Sequence, residues 1–263
     1  MMLLMRTARS QLAPLTIVAS IMLMTLFLGP VFGPLLGPLE KAGATPSDRV
    51  EAAQARQKKA IRAKVERAGA AYPPKDIFIR AFKKEEELEL WAKAAEGEGL
   101  VLIERFPLCK MSGELGPKAR QGDKQIPEGF YTIDRLNPRS RFHLSLGLDY
   151  PNALDTARAK GEDPGDNIFI HGGCYSVGCL SIGDDAIERV YLIAAQAIAL
   201  RQEAIAVHLF PCRFGEAACE EAVEALDKKE PALYRALREA YSAFDRDRLP
   251  PKFRATPSGY RRE

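Results

Sequence analysis

Residues 168–179 read Ile-Phe-Ile-His-Gly-Gly-Cys-Tyr-Ser-Val-Gly-Cys, and this stretch decides both the fold and the chemistry that we expect. Its apolar start is typical of a strand that ends in His171, and the glycines that follow predict a loop. A thiol that attacks a carbonyl carbon needs an imidazole to take its proton and N–H groups to hold the oxyanion. The stretch therefore makes Cys179 a candidate nucleophile and His171 its candidate base.

The residues around the thiol supply the other parts of such a site. Amides near Gly178 and Cys179 are candidate oxyanion donors, and the Ser176 hydroxyl either closes the turn or donates beside the thiolate. An apolar-rich helix is expected from about residue 185 to residue 201, with Asp184 as its N-cap. Because a helix start favours a nearby anion, we expect it to stabilise the thiolate.

Strand patterns dominate before the stretch and helices after it. The predicted strands cover residues 77–82, 83–93, 100–106, 130–134, 143–148, 167–171 and 204–210, and the second of them follows a charged turn at its start. Further helices are predicted over residues 216–226 and 232–244. The first three strands form a meander. This order predicts an α+β fold, mostly β, with accessory helices after the nucleophile.

Four regions follow from the pattern. The expected division is an N-terminal segment (1–44), a polar helical spacer with a weak apolar face (45–75), a catalytic domain (76–215) and a C-terminal helical extension with a solvated tail (216–263).

The composition excludes several classes of protein. The 263 residues are 46% hydrophobic and 28% charged, which argues against a collagen-like, disordered or multi-span membrane chain. The 38 basic and 35 acidic residues leave a net charge of +3, which is too balanced for a dedicated nucleic-acid binder. We therefore expect no nucleic-acid partner.

The N-terminal segment differs in composition from the rest of the chain. No acidic residue precedes Glu40, and residues 15–28 form an apolar run of the length found in secretory signal peptides. Small residues at 42–44 suit a cleavage site, whereas residues 15–37 would anchor the chain in the inner membrane if they were retained. We expect export to the periplasm and favour cleavage near Ala44 over retention.

Five cysteines in a chain expected to be exported predict disulfides together with a thiol. They are Cys109, Cys174, Cys179, Cys212 and Cys219, and an odd number leaves at least one unpaired. The residues alone do not assign the pairs.

A wider pattern connects the stretch to a known family. Upstream stand residues 109–118, Cys-Lys-Met-Ser-Gly-Glu-Leu-Gly-Pro-Lys, then Gln-Gly-Asp at 121–123 and Pro-Glu-Gly-Phe-Tyr at 127–131. Together with His-Gly and Ser-x-Gly-Cys, these loops resemble the L,D-transpeptidase catalytic domain, often called the YkuD-type domain. The resemblance covers roughly residues 76–215. In detail it matches the YafK-like murein branch, which is similar in its short histidine-to-cysteine gap and in a cysteine at the position of Cys174.

The resemblance implies roles for individual residues. Cys179 would be the nucleophile, His171 the base, and the carbonyl of Gly172 the group that orients the imidazole. The implied partner is a peptidoglycan stem peptide, in which Cys179 attacks the L-centre carbonyl of meso-diaminopimelate to form a thioacyl-enzyme. No metal or organic cofactor is needed. Tyr131 is either a core residue or a hydroxyl near the oxyanion, and Lys118 either meets stem carboxylates or belongs to a solvated basic loop.

Two positions depart from the pattern of many family members, and they leave the acyl acceptor open. Val177 replaces a histidine, and Ser181 replaces a basic residue. An amine acceptor gives transpeptidation, whereas water gives an amidase that cleaves peptidoglycan–peptide or peptidoglycan–lipoprotein links, with a peptidoglycan-linked lipoprotein as partner. A third alternative is a non-catalytic peptidoglycan-binding module with Cys179 in a disulfide.

Other interpretations of the remaining residues stay open. Cys174 is expected to be structural or paired, and a bridge to Cys109 is one hypothesis. A zinc site is the competing use of the same residues, with the ligands His171, Cys174, Cys179 and Cys212. His143 and His208 lie in strand-like segments, where we expect packed or surface histidines.

Overall fold

The computed structural model describes residues 45–263, over which the chain combines short strands with five helices. In chain order the elements are α1 (Pro46–Arg67), β1 (Phe78–Phe82), β2 (Glu87–Lys93), β3 (Leu100–Pro107), β4 (Gly129–Asn137), β5 (Ser145–Leu148), α2 (Ala153–Arg158), β6 (Phe169–His171), β7 (Leu180–Ser181), α3 (Asp184–Ala199), β8 (Ala206–Phe210), α4 (Ala217–Lys229), α5 (Pro231–Asp247), β9 (Phe253–Thr256) and β10 (Gly259–Arg262). None of these helices is long and apolar enough to span a membrane. The segment expected to be a signal peptide or an anchor lies outside the described residues.

Strands β1 to β8 form one mixed sheet in the order β3-β2-β1-β8-β4-β5-β6-β7. The first three strands are antiparallel neighbours, as the predicted meander requires. Two neighbouring pairs are parallel, β1 with β8 and β6 with β7. The α+β prediction is confirmed, although α1 and α2 show that helices also precede the nucleophile.

Helices α1 and α3 cover one face of the sheet. Ile79 and Val207 are cross-strand partners in β1 and β8, and they share one buried cluster with Ile61 and Val65 of α1 and Val190 of α3. The prediction of a spacer is therefore corrected, because α1 forms part of the core. Its few apolar positions give a weak pattern in the sequence, yet these two are almost completely buried.

Helices α4 and α5 and a C-terminal hairpin cover the opposite face. Phe210 of β8 packs in a second buried cluster with Tyr234 of α5. In the hairpin β9–β10, the Tyr260 hydroxyl accepts hydrogen bonds from the backbone N–H of Phe130 at 3.1 Å and from Nδ2 of Asn152 at 2.9 Å. The expected solvated tail is thus a docked hairpin, of which the sequence pattern gave no sign.

A buried ion pair ties the loop before β4 to this second layer. Lys83 Nζ donates to Glu128 Oε1 at 3.0 Å and to the carbonyls of Gly116 and Ile126 at 2.7 and 3.0 Å. The Tyr234 hydroxyl donates to the other carboxylate oxygen of Glu128 at 2.8 Å. Removing one partner of a buried pair leaves an uncompensated charge, at a cost of about 3–5 kcal/mol. This network therefore fixes the end of the loop that leads into β4.

Replacing Ile61 by alanine should lower the free energy of unfolding by about 2–5 kcal/mol, because a buried aliphatic side chain is lost from the core. The matched control is Lys59→Ala, an exposed position on the same helix, which should change stability by less than about 0.5 kcal/mol. Urea denaturation followed by circular dichroism measures both. Equal stabilities of the two variants would show that α1 does not pack on the sheet.

Candidate active site

The parallel pair β6–β7 brings the two ends of the loop 172–179 together. His171 at the end of β6 lies opposite Ser181 of β7, and Cys179 directly precedes β7. Both His171 and Cys179 line one cavity of about 220 Å³. Its other lining residues are Asn137, Arg139, Ser140, Arg141, Phe142, Ser145 and Phe169.

The imidazole of His171 is held in one orientation. Its Nδ1 donates to the carbonyl of Gly172 at 2.6 Å, so the neutral ring carries its proton on Nδ1 and leaves Nε2 free to accept one. Phe142 stacks on the ring, with the centroids 4.6 Å apart. Burial lowers the pKa of His171 below its ordinary value, although the hydrogen bond to Gly172 acts in the opposite direction. At neutral pH the ring is therefore an unprotonated base.

The thiol of Cys179 is also neutral at rest. Sγ donates to the carbonyl of Asn167 at 3.7 Å. Burial raises the pKa of Cys179, while the backbone N–H of Phe169 and the charge of Lys118 favour the thiolate. The expectation that a helix start stabilises the thiolate stays a prediction. Helix α3 begins at Asp184, several residues after the thiol.

Two contacts hold the loop between the histidine and the cysteine. The Asp184 carboxylate accepts a hydrogen bond from the Gly173 N–H at 2.7 Å instead of capping its own helix, whose N-cap is Gly183. Cys174 forms a disulfide with Cys109, which confirms the hypothesis for this pair. The loop is thereby fixed both to α3 and to the segment after β3.

The second disulfide joins Cys212 to Cys219 and leaves Cys179 as the free cysteine. The zinc alternative is wrong, because two of its four ligands, Cys174 and Cys212, are used in disulfides. The free thiol of Cys179 also contradicts the disulfide that the alternative of a non-catalytic peptidoglycan-binding module assumed.

The amides expected to hold an oxyanion are already occupied by serine hydroxyls. The N–H of Cys179 donates to Ser176 Oγ at 3.1 Å, and this hydroxyl donates back to the Cys179 carbonyl at 2.5 Å. The N–H of Gly178 donates to Ser112 Oγ at 2.7 Å. Ser176 therefore closes the turn, and an incoming carbonyl would have to compete for both amides. Ser112 was missed, since its only sequence signal is its place in the loop 109–118.

Tyr131 lies in the core and not at the oxyanion. Its hydroxyl donates to both carboxylate oxygens of Asp155, at 3.2 and 3.0 Å, and its ring packs near Tyr150. Burial raises the pKa of Tyr131 well above its ordinary value. The assignment of Tyr131 to the substrate site is thus corrected.

Lys118 is buried near the thiol rather than part of a solvated loop. Its Nζ donates to Asp123 Oδ1 at 2.6 Å and to the carbonyl of Arg120 at 2.8 Å. One of the three ammonium protons stays without a partner among the described residues. Lys118 acts on Cys179 through its charge, which lowers the pKa of the thiol.

The mouth of the cavity combines positive charge with exposed apolar side chains. Arg139 and Arg141 line it and are exposed. Phe142 and Tyr175 stack on each other with their centroids 6.3 Å apart, and they are 39% and 62% exposed. Exposed aromatic groups beside a cleft are typical of binding surfaces. The sequence analysis did not identify these four residues as part of the site.

Comparisons with known proteins found similar sequences and similar solved structures. No protein-family model matches the chain. Two relatives with the name "Putative L,D-transpeptidase YafK", from Escherichia coli strains K12 and O157:H7, are each 34% identical over 177 residues, which is 66% of this chain and 69% of theirs. Among solved structures, the helical cell shape determining protein Pgp2 from Campylobacter jejuni has a TM-score of 0.42 and 16% identity, over 73% of this chain and 80% of its own. Bd1075 from Bdellovibrio bacteriovorus has a TM-score of 0.38 and 18% identity, over 66% and 64%.

We expect one reactive thiol in the native chain, alkylated slowly at neutral pH and faster as the pH rises, because burial raises the pKa of Cys179. Lys118→Met should slow alkylation further, since a charge that favours the thiolate is lost. Lys124→Met, at an exposed lysine of the same loop, serves as the control and should react like the wild type. Intact mass spectrometry after iodoacetamide treatment measures the rates. A second accessible thiol, or a Lys118→Met rate equal to that of the control, would contradict this account.

Proposed function

The chain belongs to the L,D-transpeptidase family represented by YafK, and from this premise we propose that it is a cysteine-dependent acyltransferase of peptidoglycan stem peptides. The names of its relatives support an enzyme that acts on peptidoglycan. One observation carries the cysteine mechanism: the free thiol of Cys179 lines the same cavity as His171, whose Nδ1 is fixed to the Gly172 carbonyl.

The proposed reaction begins from the neutral pair. As Sγ of Cys179 attacks the L-centre carbonyl of meso-diaminopimelate, Nε2 of His171 takes the thiol proton. The carbonyl oxygen becomes the oxyanion of a tetrahedral intermediate. When this intermediate collapses, the C–N bond breaks, the departing D-residue takes the proton from the imidazolium, and a thioester remains on Cys179. An amine or water then attacks the thioester, giving its own proton to His171, and the thiolate leaves and is reprotonated.

The charge around the cavity suits such a substrate. Stem peptides carry several carboxylates, and the exposed guanidinium groups of Arg139 and Arg141 stand at the cavity mouth. Arginine pairs with carboxylates in a planar, two-pronged geometry. We therefore assign these two residues to substrate binding.

We also propose that the reaction takes place outside the cytoplasm, in the periplasm. Two disulfides support this location, because disulfides persist in oxidising compartments. Peptidoglycan itself lies in the same place.

The decisive test compares the wild-type chain with its Cys179→Ala variant. Each is incubated with peptidoglycan and with purified tetrapeptide muropeptides, and the products are identified by liquid chromatography and mass spectrometry. We expect cross-linked dimers with the wild type and none with the variant. Loss of existing links with addition of water would instead identify a hydrolase of the same mechanism. Identical products from both chains would refute the proposed function.

The pH dependence of turnover tests the role of His171. Because burial lowers the pKa of His171, the base stays unprotonated to a lower pH than an ordinary histidine. On the acid side, kcat/KM should therefore decline only at a pH below the usual pKa range of histidine. His171→Gln should abolish turnover, whereas the same change at the exposed Arg201 should not. A decline of kcat/KM at or above the usual pKa range of histidine would contradict a buried, neutral base.

A further inference from the structure

The segment that joins β4 to β5, residues 138–144, forms the wall of the cavity beside the base. We call it the β4–β5 loop. It carries Phe142, whose ring stacks on His171 with 26° between the ring planes. Within the loop, the N–H of Phe142 donates to Ser140 Oγ at 3.1 Å, and His143 has a φ of 68°, which is sparsely populated by residues other than glycine. A loop of this kind needs outside support to keep Phe142 against the imidazole.

That support comes from α1, which lies outside the segment assigned to the catalytic domain. Nη1 of Arg49 donates to the carbonyl of Ser140 at 3.0 Å and to the carbonyl of His143 at 3.3 Å. The two carbonyls flank Phe142 along the chain. Because the donor is charged, these hydrogen bonds are stronger than neutral ones. Arg49 thus spans the part of the loop that contacts the base.

Helix α3 holds the same loop through a second contact. Nε2 of His143 lies 2.8 Å from Glu188 Oε1. Glu188 is buried, and it also binds the side chains of Arg56 and Gln57 from α1. The helix that carries Arg49 is therefore itself fixed to α3, so that its position relative to the loop is set by the fold.

We infer that Arg49 is a positioning residue of the active site, which holds Phe142 against the imidazole of His171 and keeps water from the base. This rests on the proposed role of His171. Helix α1 thereby contributes to the site, because Arg49 holds the loop and Phe142 of the loop contacts His171.

Kinetics of the full chain test the inference with Arg49→Met. The loosened loop should lower kcat by about 10- to 100-fold, since a misplacement of about 1 Å can cost about 100-fold, and should change KM little. Water would then reach the imidazole, so the pKa of His171 rises and the acid limb of kcat/KM moves to higher pH. The charged and titratable groups that line the cavity with His171 are Cys179, Arg139 and Arg141. If the loop also moved the two arginines away from His171, the loss of nearby positive charge would raise the pKa of His171 as well. The acid limb of kcat/KM would then move in the same direction, to higher pH.

The controls separate positioning from a general loss of structure. Lys58→Met removes an exposed charge from the same helix and should leave both kcat and the limb unchanged. Arg49→Lys keeps a charged donor and should recover part of the rate. Phe142→Ala should shift the limb as Arg49→Met does, and the double variant should shift it no further, because both changes remove the same contact.

A measurement without substrate keeps the inference independent of turnover. The pKa of His171 is read by NMR titration of its ring protons, which are assigned with His171→Gln. A higher pKa in Arg49→Met and Phe142→Ala supports the inference, even if the wild type proves inactive on muropeptides and the proposed function fails. An unchanged pKa in both folded variants overturns it, whatever the activity.

Discussion

The parallel pairing of β6 with β7 is the constraint on which the active site depends. These strands are only three and two residues long, yet their register sets the ends of the loop that separates His171 from Cys179. The loop can close over so short a distance because Gly173 and Gly178 adopt positive φ angles of 65° and 97°. At Gly178, a Cβ atom would lie 3.2 Å from the carbonyl oxygen of Gln125. The positive φ favours glycine there, and the close approach of the Gln125 carbonyl adds to that preference.

Burial gives this site a neutral resting state. The same low-dielectric surroundings act on both partners, raising the pKa of Cys179 and lowering that of His171. In the proposed reaction, charge separation then accompanies the attack itself. The Cys109–Cys174 bridge and the hydrogen bond from the Gly173 N–H to the Asp184 carboxylate hold the loop in place.

The sequence predicted what local patterns can encode. Alternation at Leu88 and Leu90 identified β2 although its composition suits a helix, and the odd cysteine number indicated a free thiol. The identity of that thiol came from its Ser-x-Gly-Cys setting. The family is also what the YafK relatives show.

What the sequence did not predict depends on contacts between distant residues. Ser112 binds the N–H of Gly178, which lies 66 positions later in the sequence. Phe142 contacts His171 because the sheet brings their two segments together. The serine hydroxyls at the amides, the hydrogen bond from Tyr131 to Asp155 and the packing of α1 have no local signature. Each arises because the fold leaves one polar or apolar group beside another, and a single sequence carries no record of that proximity.

The buried carboxylate of Glu128 also bears on how such a chain can evolve. It stands at the end of a loop of the catalytic segment, while one of its partners, Tyr234, belongs to α5. Residues after 215 thus supply a hydroxyl that the interior of the preceding segment uses. Recombination at this boundary would separate a buried anion from one of its donors, which would destabilise the recombined chain.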